Sequence, residues 1–340
     1  MEQRLLAFVR LSRPRFLVES LITATLGVTV AAYGGHRFQF GTWLLVQAFV
    51  TLTHLMTQYC NEYFDLEADS AHTAPNRWTG GSQILVSGVL RPVVSLSAAF
   101  VLLFLDVLLA TLMPTISSRL IAFAILVLAW FYTAPPVRLN YRALGEITTA
   151  GVLTLLCPLL MSYTLLGSVS PVLPAVCVPL FLVMTARMLV MNFCDRDSDL
   201  LAGKHTLPNT LGPRRAALVF AGLQAAAYVI VVAVTVLGIL PLPVGLGLML
   251  TAPMAYLMSR RVLRDPPSPD EPDRAIMTAH MVTLHAASTG LVAVAGMIVA
   301  AALARGMTTS TLACVTLMLL YVGLAGGVQV RDVVGVKVAA

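Results

Sequence analysis

Long apolar stretches, separated by short polar segments, dominate the sequence. A helix needs about 20 apolar residues to cross the hydrocarbon core of a bilayer. Ten windows of this kind occur, at 16–33, 42–60, 93–113, 117–133, 147–166, 171–191, 215–238, 242–259, 278–304 and 308–329. They lack the alternation of apolar and polar residues that is typical of membrane barrel strands. The pattern therefore predicts an all-α polytopic membrane protein.

Composition strengthens this prediction. Of the 340 residues, 58% are hydrophobic and 11% are charged, and the mean hydropathy is +0.85, far from the usage of soluble domains. The basic stretch before the first window is long, and no soluble-looking domain follows that window. We therefore expect a retained helix rather than a cleaved signal peptide. The segment 260–274, with its prolines and mixed charges, is expected to be a flexible cytoplasmic loop.

The positions of Lys and Arg predict the orientation. With ten spans, 18 of the 22 basic residues fall on one side of the membrane, and Arg37, Arg119 and Arg305 fall on the other. Positive residues accumulate in cytoplasmic loops, so both termini are expected in the cytoplasm, with the protein in the cytoplasmic membrane if the organism is bacterial. The net charge of +6 then reflects topology and anionic headgroups, and no nucleic-acid partner is expected.

The cysteines give no sign of a disulfide or a zinc site. None of the five forms a CxxC pair, and all lie in or beside apolar windows, where cysteine behaves as a small hydrophobe.

Acidic residues, in contrast, are concentrated in two short patches, "NEYFDLEAD" at 61–69 and "NFCDRDSD" at 192–199. In the first, Asn61, Asp65 and Asp69 are four residues apart and share one face of a helix. The second repeats this arrangement with one shorter step, and both follow even-numbered windows, which suggests an internal duplication.

A solvated helix end would explain one patch but not two that match. Oxygen ligands without Cys or His suit Mg²⁺, so the two patches predict a metal-bridged diphosphate.

Basic residues that could bind the phosphates lie close to these patches in the sequence. Lys204 follows the second patch in "GKHTLP", and Arg138 lies in "YTAPPVRLNYRALGE", on the same side of the membrane. Arg77 follows the first patch, in a stretch where Gly80 and Gly81 allow close backbone approach.

At these residues the chain resembles the UbiA superfamily of intramembrane prenyltransferases, over residues 12–304. The resemblance rests on the N-x3-D-x3-D pattern, the second Asp-rich motif with its "GKHTLP" ending, and the "YTAPPVRL" loop between them. It implies nine transmembrane helices around a central cavity, so either the tenth window belongs to a C-terminal extension or one of the earlier windows is divided wrongly. We expect a prenyltransferase domain at 1–304 and an extension at 305–340. The motifs look more similar to the menaquinone-type, dihydroxynaphthoate-prenylating branch than to the 4-hydroxybenzoate branch.

The resemblance implies an Mg²⁺-dependent enzyme that transfers an isoprenoid chain from a prenyl diphosphate donor to an aromatic or quinone-precursor acceptor. Asp65, Asp69, Asp195, Asp199 and Lys204 would be catalytic, and their site would face the cytoplasm. The four aspartates would be the metal ligands that hold Mg²⁺. The expected substrate-binding residues are Asn61, Arg77, Tyr132, Arg138, Arg187 and Asn192.

Several side chains are assigned from the residues themselves. Arg187 lies inside a span, where a charge marks a functional site by default, and it shares a helical face with Asp195. Glu19 is expected to pair with Arg15, four residues earlier. Glu62 and Glu67 are expected to be solvated, and His280 to be a packing residue.

Two other functions use similar features. A UbiA-type terpene cyclase would share the metal and diphosphate motifs but let the allylic cation attack its own chain, without an acceptor. An ion-coupled secondary transporter would also carry acidic residues and repeats, but its sites usually lie near the middle of the membrane rather than at helix ends.

Overall fold

The computed structural model describes residues 2–76 and 78–338. Over these residues the secondary structure is helical, with no strand apart from an isolated bridge between Arg142 and His205. The helices are α1 (Glu2–Leu11), α2 (Pro14–Tyr33), α3 (Phe40–Phe64), α4 (Leu66–Ala71), α5 (Pro92–Thr111), α6 (Ile116–Trp130), α7 (Gly145–Leu166), α8 (Val172–Cys194), α9 (Arg196–Leu201), α10 (Leu207–Leu211), α11 (Pro213–Val236), α12 (Leu242–Arg264), α13 (Pro272–Arg305) and α14 (Thr309–Val338). The predicted all-α fold class is confirmed.

Each predicted apolar window coincides with a helix, and in the described part of the chain nine helices are long and apolar enough to cross a membrane. The helix in the remaining window, α6, is shorter than these nine. It has 15 residues and ends at Trp130, before the predicted limit of 133. The reason is the following "YTAPP", since residues ahead of proline are driven out of the helical conformation. Hydropathy alone does not reveal this break.

Two helices form the centre of the bundle. In both α2 and α8, 72% of the apolar window is buried, whereas α5 buries 22% of its window and faces outward. Helix α2 packs against α7, α13 and α14. Its contact with α7 is close because Gly27 has no side chain: a Cβ there would lie 2.6 Å from the backbone oxygen of Pro158. The last helix, α14, adds Cys314, Leu317 and Tyr321 to the core.

The two Asp-rich patches adopt the same local fold. Helix α3 ends at Phe64, Asp65 bends the chain, and α4 follows; α8 ends at Cys194, Asp195 bends the chain, and α9 follows. The backbone N–H of Asp69 still donates to Asp65 O, and that of Asp199 to Asp195 O, both at 2.9 Å. The continuous helix expected over the first patch is therefore bent, while its four-residue spacing is kept.

Helix α7 contains a wider turn, a π-helical stretch over Val152–Leu156. Pro158 follows it and has no N–H with which to complete the regular ladder, and such irregularities are where π turns form. Val152 and Leu153, in this turn, face the central cavity.

Candidate active site

Lys204 joins the two Asp-rich patches. Its Nζ lies 3.1 Å from Asp65 Oδ2 and 3.2 Å from Asp199 Oδ1. The chain reaches this position through a turn at Gly203, whose φ of +69° suits glycine, and the N–H of Lys204 donates to Asp199 O at 2.7 Å. Burial opposes the charged form of the lysine, but the charges of Asp65 and Asp199 raise the pKa of Lys204 well above its usual value. The lysine is therefore a fixed cation between two patches more than a hundred residues apart.

Asparagine side chains hold the patches in place. Asp65 accepts hydrogen bonds from Asn61 Nδ2 at 2.7 Å and from Asn140 Nδ2 at 3.2 Å. In the second patch, Asn192 Nδ2 donates to Glu146 Oε1 at 2.7 Å, and Glu146, fully buried, also accepts from the N–H of Leu207. Asn140 and Glu146 were not predicted. Both lie in the segment that follows α6, which consists of a loop and the start of α7. This segment therefore supports both patches through hydrogen bonds.

The loop after α4 covers the acids from one side. The N–H of Gly80 donates to Asp195 Oδ1 at 3.1 Å. A Cβ at Gly81, whose φ is +71°, would collide with the Asp69 carboxylate. The close backbone approach expected at these glycines is therefore present, and it is made to the acids themselves.

Glu62 is a buried structural carboxylate, and its predicted solvated position is wrong. It is 2% exposed, pairs with Arg13 Nη2 at 2.5 Å, and accepts from the N–H of Ser82 at 2.9 Å. Arg13 also lies 4.0 Å from Asp69 Oδ2. This network ties the start of α2 to the covering loop. Glu67, by contrast, is exposed as expected.

Glu19 forms a long-range ion pair that was not predicted, and its expected pairing with Arg15 stays a prediction. Arg187 Nη1 lies 2.6 Å from Glu19 Oε1, across the centre of the bundle. The reason is burial: Arg187 is 4% exposed, and a charge inside a membrane protein needs an opposite charge close by. In the part of the chain that the structure describes, Arg187 Nε has no hydrogen-bond partner, and neither does Nδ1 of the nearby cavity-lining His54.

These groups surround one cavity of about 200 Å³. The Asp-rich patches and Lys204 line part of it, and the rest of the wall is mixed. Apolar side chains from α3, α6 and α7 lie there beside polar ones, among them His54, Gln58 and Arg187. Among the residues predicted for the site, the lining includes Asn61, Asp65, Asp69, Tyr132, Arg187, Asn192, Asp195 and Lys204. Phe16 and Trp78, which were not predicted, add aromatic faces to the wall, with ring centroids 6.3 Å apart.

Two predicted site residues lie outside this lining. Asp199 is 2% exposed and lies behind the lining, against Lys204. Arg138 is outside the lining, and its guanidinium carbon lies 4.4 Å from the ring centre of Tyr141, a ring that Lys204 also approaches at 6.0 Å. Arg77 lies outside the described residues. His280 lies against the Trp78 ring, at a centroid distance of 5.9 Å.

The four predicted metal ligands each lie beside a basic group. Lys204 contacts Asp65 and Asp199, Arg13 lies near Asp69, and His72 Nε2 is 3.0 Å from Asp195 Oδ1. Within the described residues, no three His, Cys, Asp or Glu side chains converge as a metal cluster.

The charges of these acids are incompletely balanced. Burial, together with the neighbouring Asp65 and Glu62, raises the pKa of Asp69 to about 7, although Arg13 and Lys204 act against the rise. Burial also raises the pKa of Asp199, and its Oδ2 is buried without a hydrogen-bond partner. Further positive charge would therefore stabilise both carboxylates.

Comparison with known proteins agrees with this architecture. The family model for the UbiA prenyltransferase family matches residues 20–280. The match covers well over half of the chain, so this protein belongs to the UbiA prenyltransferase family. No curated protein matches the sequence.

Solved structures share the fold. A digeranylgeranylglyceryl phosphate synthase structure is 18% identical, with a TM-score of 0.64 over 87% of this chain and 99% of that one. A UbiA homologue from Aeropyrum pernix K1 is 19% identical, with a TM-score of 0.64 over 84% and 97%. A UbiA homologue from Archaeoglobus fulgidus bound to GPP and Mg²⁺ is 17% identical, with a TM-score of 0.55 over 84% and 99%. At these identities the likeness establishes the UbiA-type intramembrane prenyltransferase fold.

Proposed function

We propose that the protein is an Mg²⁺-dependent prenyltransferase that moves an isoprenoid chain from an allylic diphosphate to an aromatic or quinone-precursor acceptor. One observation carries this proposal: two matching Asp patches, joined by Lys204, line a cavity that also has apolar side chains from α3, α6 and α7 in its wall. Such a cavity suits a substrate with a charged head and a hydrocarbon tail. The related Archaeoglobus fulgidus protein, bound to GPP and Mg²⁺, supports the same donor class.

The acids of the two patches fit the proposed metal. Mg²⁺ prefers oxygen ligands, and the side chains of Asp65, Asp69, Asp195 and Asp199 provide only oxygens. One Asp199 oxygen has no partner among the described residues, and the pKa of Asp69 is raised, so a bound cation would stabilise both carboxylates. When bound, Mg²⁺ would supply charge neutralisation for the departing diphosphate.

The side chains of the protein then have separate tasks in the transfer. The C–O bond of the donor breaks with its electron pair going to the diphosphate, and Lys204 stabilises that developing charge. Phosphate binding by Arg138, which lies outside the cavity lining, and by Arg77 stays a prediction. Asn61 orients Asp65, and Asn192 anchors the second patch through Glu146. The allylic cation is shielded from water by the apolar wall, and the Tyr132 face stabilises it. A carbon of the acceptor supplies the electrons for the new bond and then loses its proton.

The acceptor is assigned to the part of the cavity near Arg187. Within the described residues, the Nε of Arg187 and the Nδ1 of His54 are buried without a hydrogen-bond partner, and a ligand that accepts a hydrogen bond from the guanidinium would stabilise this region. A carboxylate on the acceptor ring meets this requirement, in agreement with the predicted dihydroxynaphthoate-type acceptor.

The proposal is tested by donor and acceptor profiling of the purified protein by mass spectrometry, with Mg²⁺ present and chelated. Prenylated acceptor should form only with Mg²⁺ present. The Asp65→Asn variant should lose at least about a hundred-fold in kcat, whereas Asp197→Asn, an exposed acid in the second patch, should retain activity. Turnover that survives chelation would overturn the metal assignment, and a cyclic hydrocarbon formed without acceptor would identify a cyclase instead.

A further inference from the structure

Two basic residues from different segments share one aromatic ring. The guanidinium carbon of Arg138 lies 4.4 Å from the ring centre of Tyr141, and Nζ of Lys204 lies 6.0 Å from the same centre. A cation within about 6 Å of a ring centre is attracted to the aromatic face. Arg138 belongs to the loop after α6 and Lys204 to the segment after the second Asp-rich patch, so the ring brings together two cations that are distant in the sequence.

The Tyr141 ring is held against the first Asp-rich patch. The Tyr141 hydroxyl donates to Phe64 O, at the end of α3, at 3.4 Å, and the preceding Asn140 donates through Nδ2 to Asp65. The N–H of Tyr141 also donates to Arg138 O at 2.9 Å, which closes a single helical turn. Because these hydrogen bonds fix the turn to the patch, the ring is a stable platform for the Arg138 side chain.

Arg138 has two features that folded proteins usually avoid. Its φ of +50° lies in the left-handed region, which is uncommon for a residue with a side chain, and strained backbone of this kind is concentrated at ligand-binding sites. Within the described residues, its Nε is buried without a hydrogen-bond partner, although buried polar groups are normally paired. A ligand that accepts a hydrogen bond from Arg138 would satisfy this donor, and an anion would do so best.

We propose that Tyr141 is a positioning residue, whose ring holds the guanidinium of Arg138 beside Lys204 so that both cations bind the diphosphate of the donor. This inference rests on the proposed prenyl transfer. Lys204 lines the active-site cavity, whereas Arg138 lies outside the lining. Rotation about the bonds of the Arg138 side chain therefore has to bring its guanidinium to the diphosphate.

The two cations contribute different interactions. A guanidinium donates two parallel hydrogen bonds to phosphate oxygens, whereas the ammonium group of Lys204 acts as a point charge. An arginine in solvent loses side-chain entropy when it binds a ligand, and the Tyr141 ring reduces that loss because it restricts the Arg138 side chain beforehand. Removal of the ring should therefore weaken the binding of the diphosphate without removing either charge.

The test measures the affinity of the full chain in nanodiscs, with Mg²⁺, for the unreactive thiolodiphosphate analogue of geranyl diphosphate. Tyr141→Leu should bind this analogue roughly ten-fold more weakly. Tyr141→Phe, which keeps the ring, should bind it as the wild type does. The matched control is Tyr256→Leu, because the Tyr256 ring has Arg260 at 5.7 Å but is exposed on α12. The affinity of this control should not change.

A double-mutant cycle separates positioning from a structural role. Arg138→Gln should also weaken binding roughly ten-fold. Because the ring acts through Arg138, the addition of Tyr141→Leu to Arg138→Gln should weaken binding by less than about two-fold further. A ring that only stabilised the loop would weaken binding equally in both backgrounds.

Each other outcome has a definite meaning. Equal effects of Tyr141→Leu in the two backgrounds, or wild-type affinity in Arg138→Gln, overturn the proposal. Weaker binding by Tyr141→Phe would assign the role to the hydroxyl and also overturn it, so two variants still decide the matter if Tyr141→Leu does not fold. Because binding is measured without turnover, a wild type that shows the coupling but transfers no prenyl group would refute the proposed function and leave this inference standing. A wild type that binds no analogue would refute both.

Discussion

At the scale of single residues, Lys204 carries the strongest prediction. It is the cation shared by Asp65 and Asp199, and in the proposed reaction it also stabilises the departing diphosphate. Replacing it with methionine keeps much of its length but removes the charge, so kcat should fall about a hundred- to a thousand-fold. The measurement is steady-state kinetics with saturating donor. Arg196→Met, a half-exposed cation in α9, is the control, and a Lys204→Met enzyme with wild-type kcat would remove the lysine from the mechanism.

Glu62 and Glu67 offer a matched test of structural burial. Glu62 holds Arg13 and Ser82, whereas Glu67 is exposed. Glu62→Ala leaves buried donors without a partner, which costs about 1–3 kcal/mol for each unsatisfied group, so its melting temperature should fall clearly. Glu67→Ala should melt as the wild type does. Thermal unfolding in detergent separates the two variants, and equal melting temperatures would contradict the burial argument.

The site residues that could be predicted belong to a repeated pattern in the sequence, whereas the residues that were missed belong to no such pattern. Asn61, Asp65 and Asp69 repeat with helical spacing at the end of an apolar run. Asn140 and Glu146 are single polar residues in a loop region, and their importance comes from burial, which spacing does not report. The prediction for Glu62 was wrong for the same reason. A charged residue beside a motif is expected to be exposed to solvent, because the sequence does not show which distant residue will pair with it.

At the scale of helices, the contact of α2 with α7 depends on a missing side chain. Gly27→Ala would place a methyl group 2.6 Å from Pro158 O and 2.7 Å from Met161 Cβ. The helices would have to separate, and overpacking of this kind costs about 1–3 kcal/mol. Thermal unfolding should show the loss. Gly222→Ala, with nothing within 4 Å of its Cβ, serves as the control and should be neutral or slightly stabilising; a Gly27→Ala variant as stable as this control would refute the close contact.

The existence of the helices could be predicted, but their ends and bends could not. Apolar windows located every long helix, because lipid allows few alternatives to a helix. The bends at Asp65 and Asp195 depend on tertiary hydrogen bonds, and the π turn in α7 depends on Pro158. The hydropathy of the sequence reports neither of these. The early end of α6 had a visible cause in the two prolines.

At the scale of the whole molecule, the orientation remains a prediction that cysteine labelling can test. All five native cysteines are buried, so a single introduced cysteine gives a clean signal. Met307→Cys, between α13 and α14, should react with an impermeant maleimide added to intact cells. Asp270→Cys, between α12 and α13, should react only after permeabilisation. The reverse pattern would place the proposed active site on the outer face.

The position of Lys204 also has a kinetic consequence. In the proposed reaction, Asp65 and Asp199 would hold Mg²⁺ and would share their charge between the metal and the ammonium group that already neutralises them. Lys204 would then be held less tightly by the two acids and would be freer to meet the diphosphate. Once the product has left, Lys204 would pair fully with the acids again, so the side chain that helps the donor to bind would also favour the departure of the product.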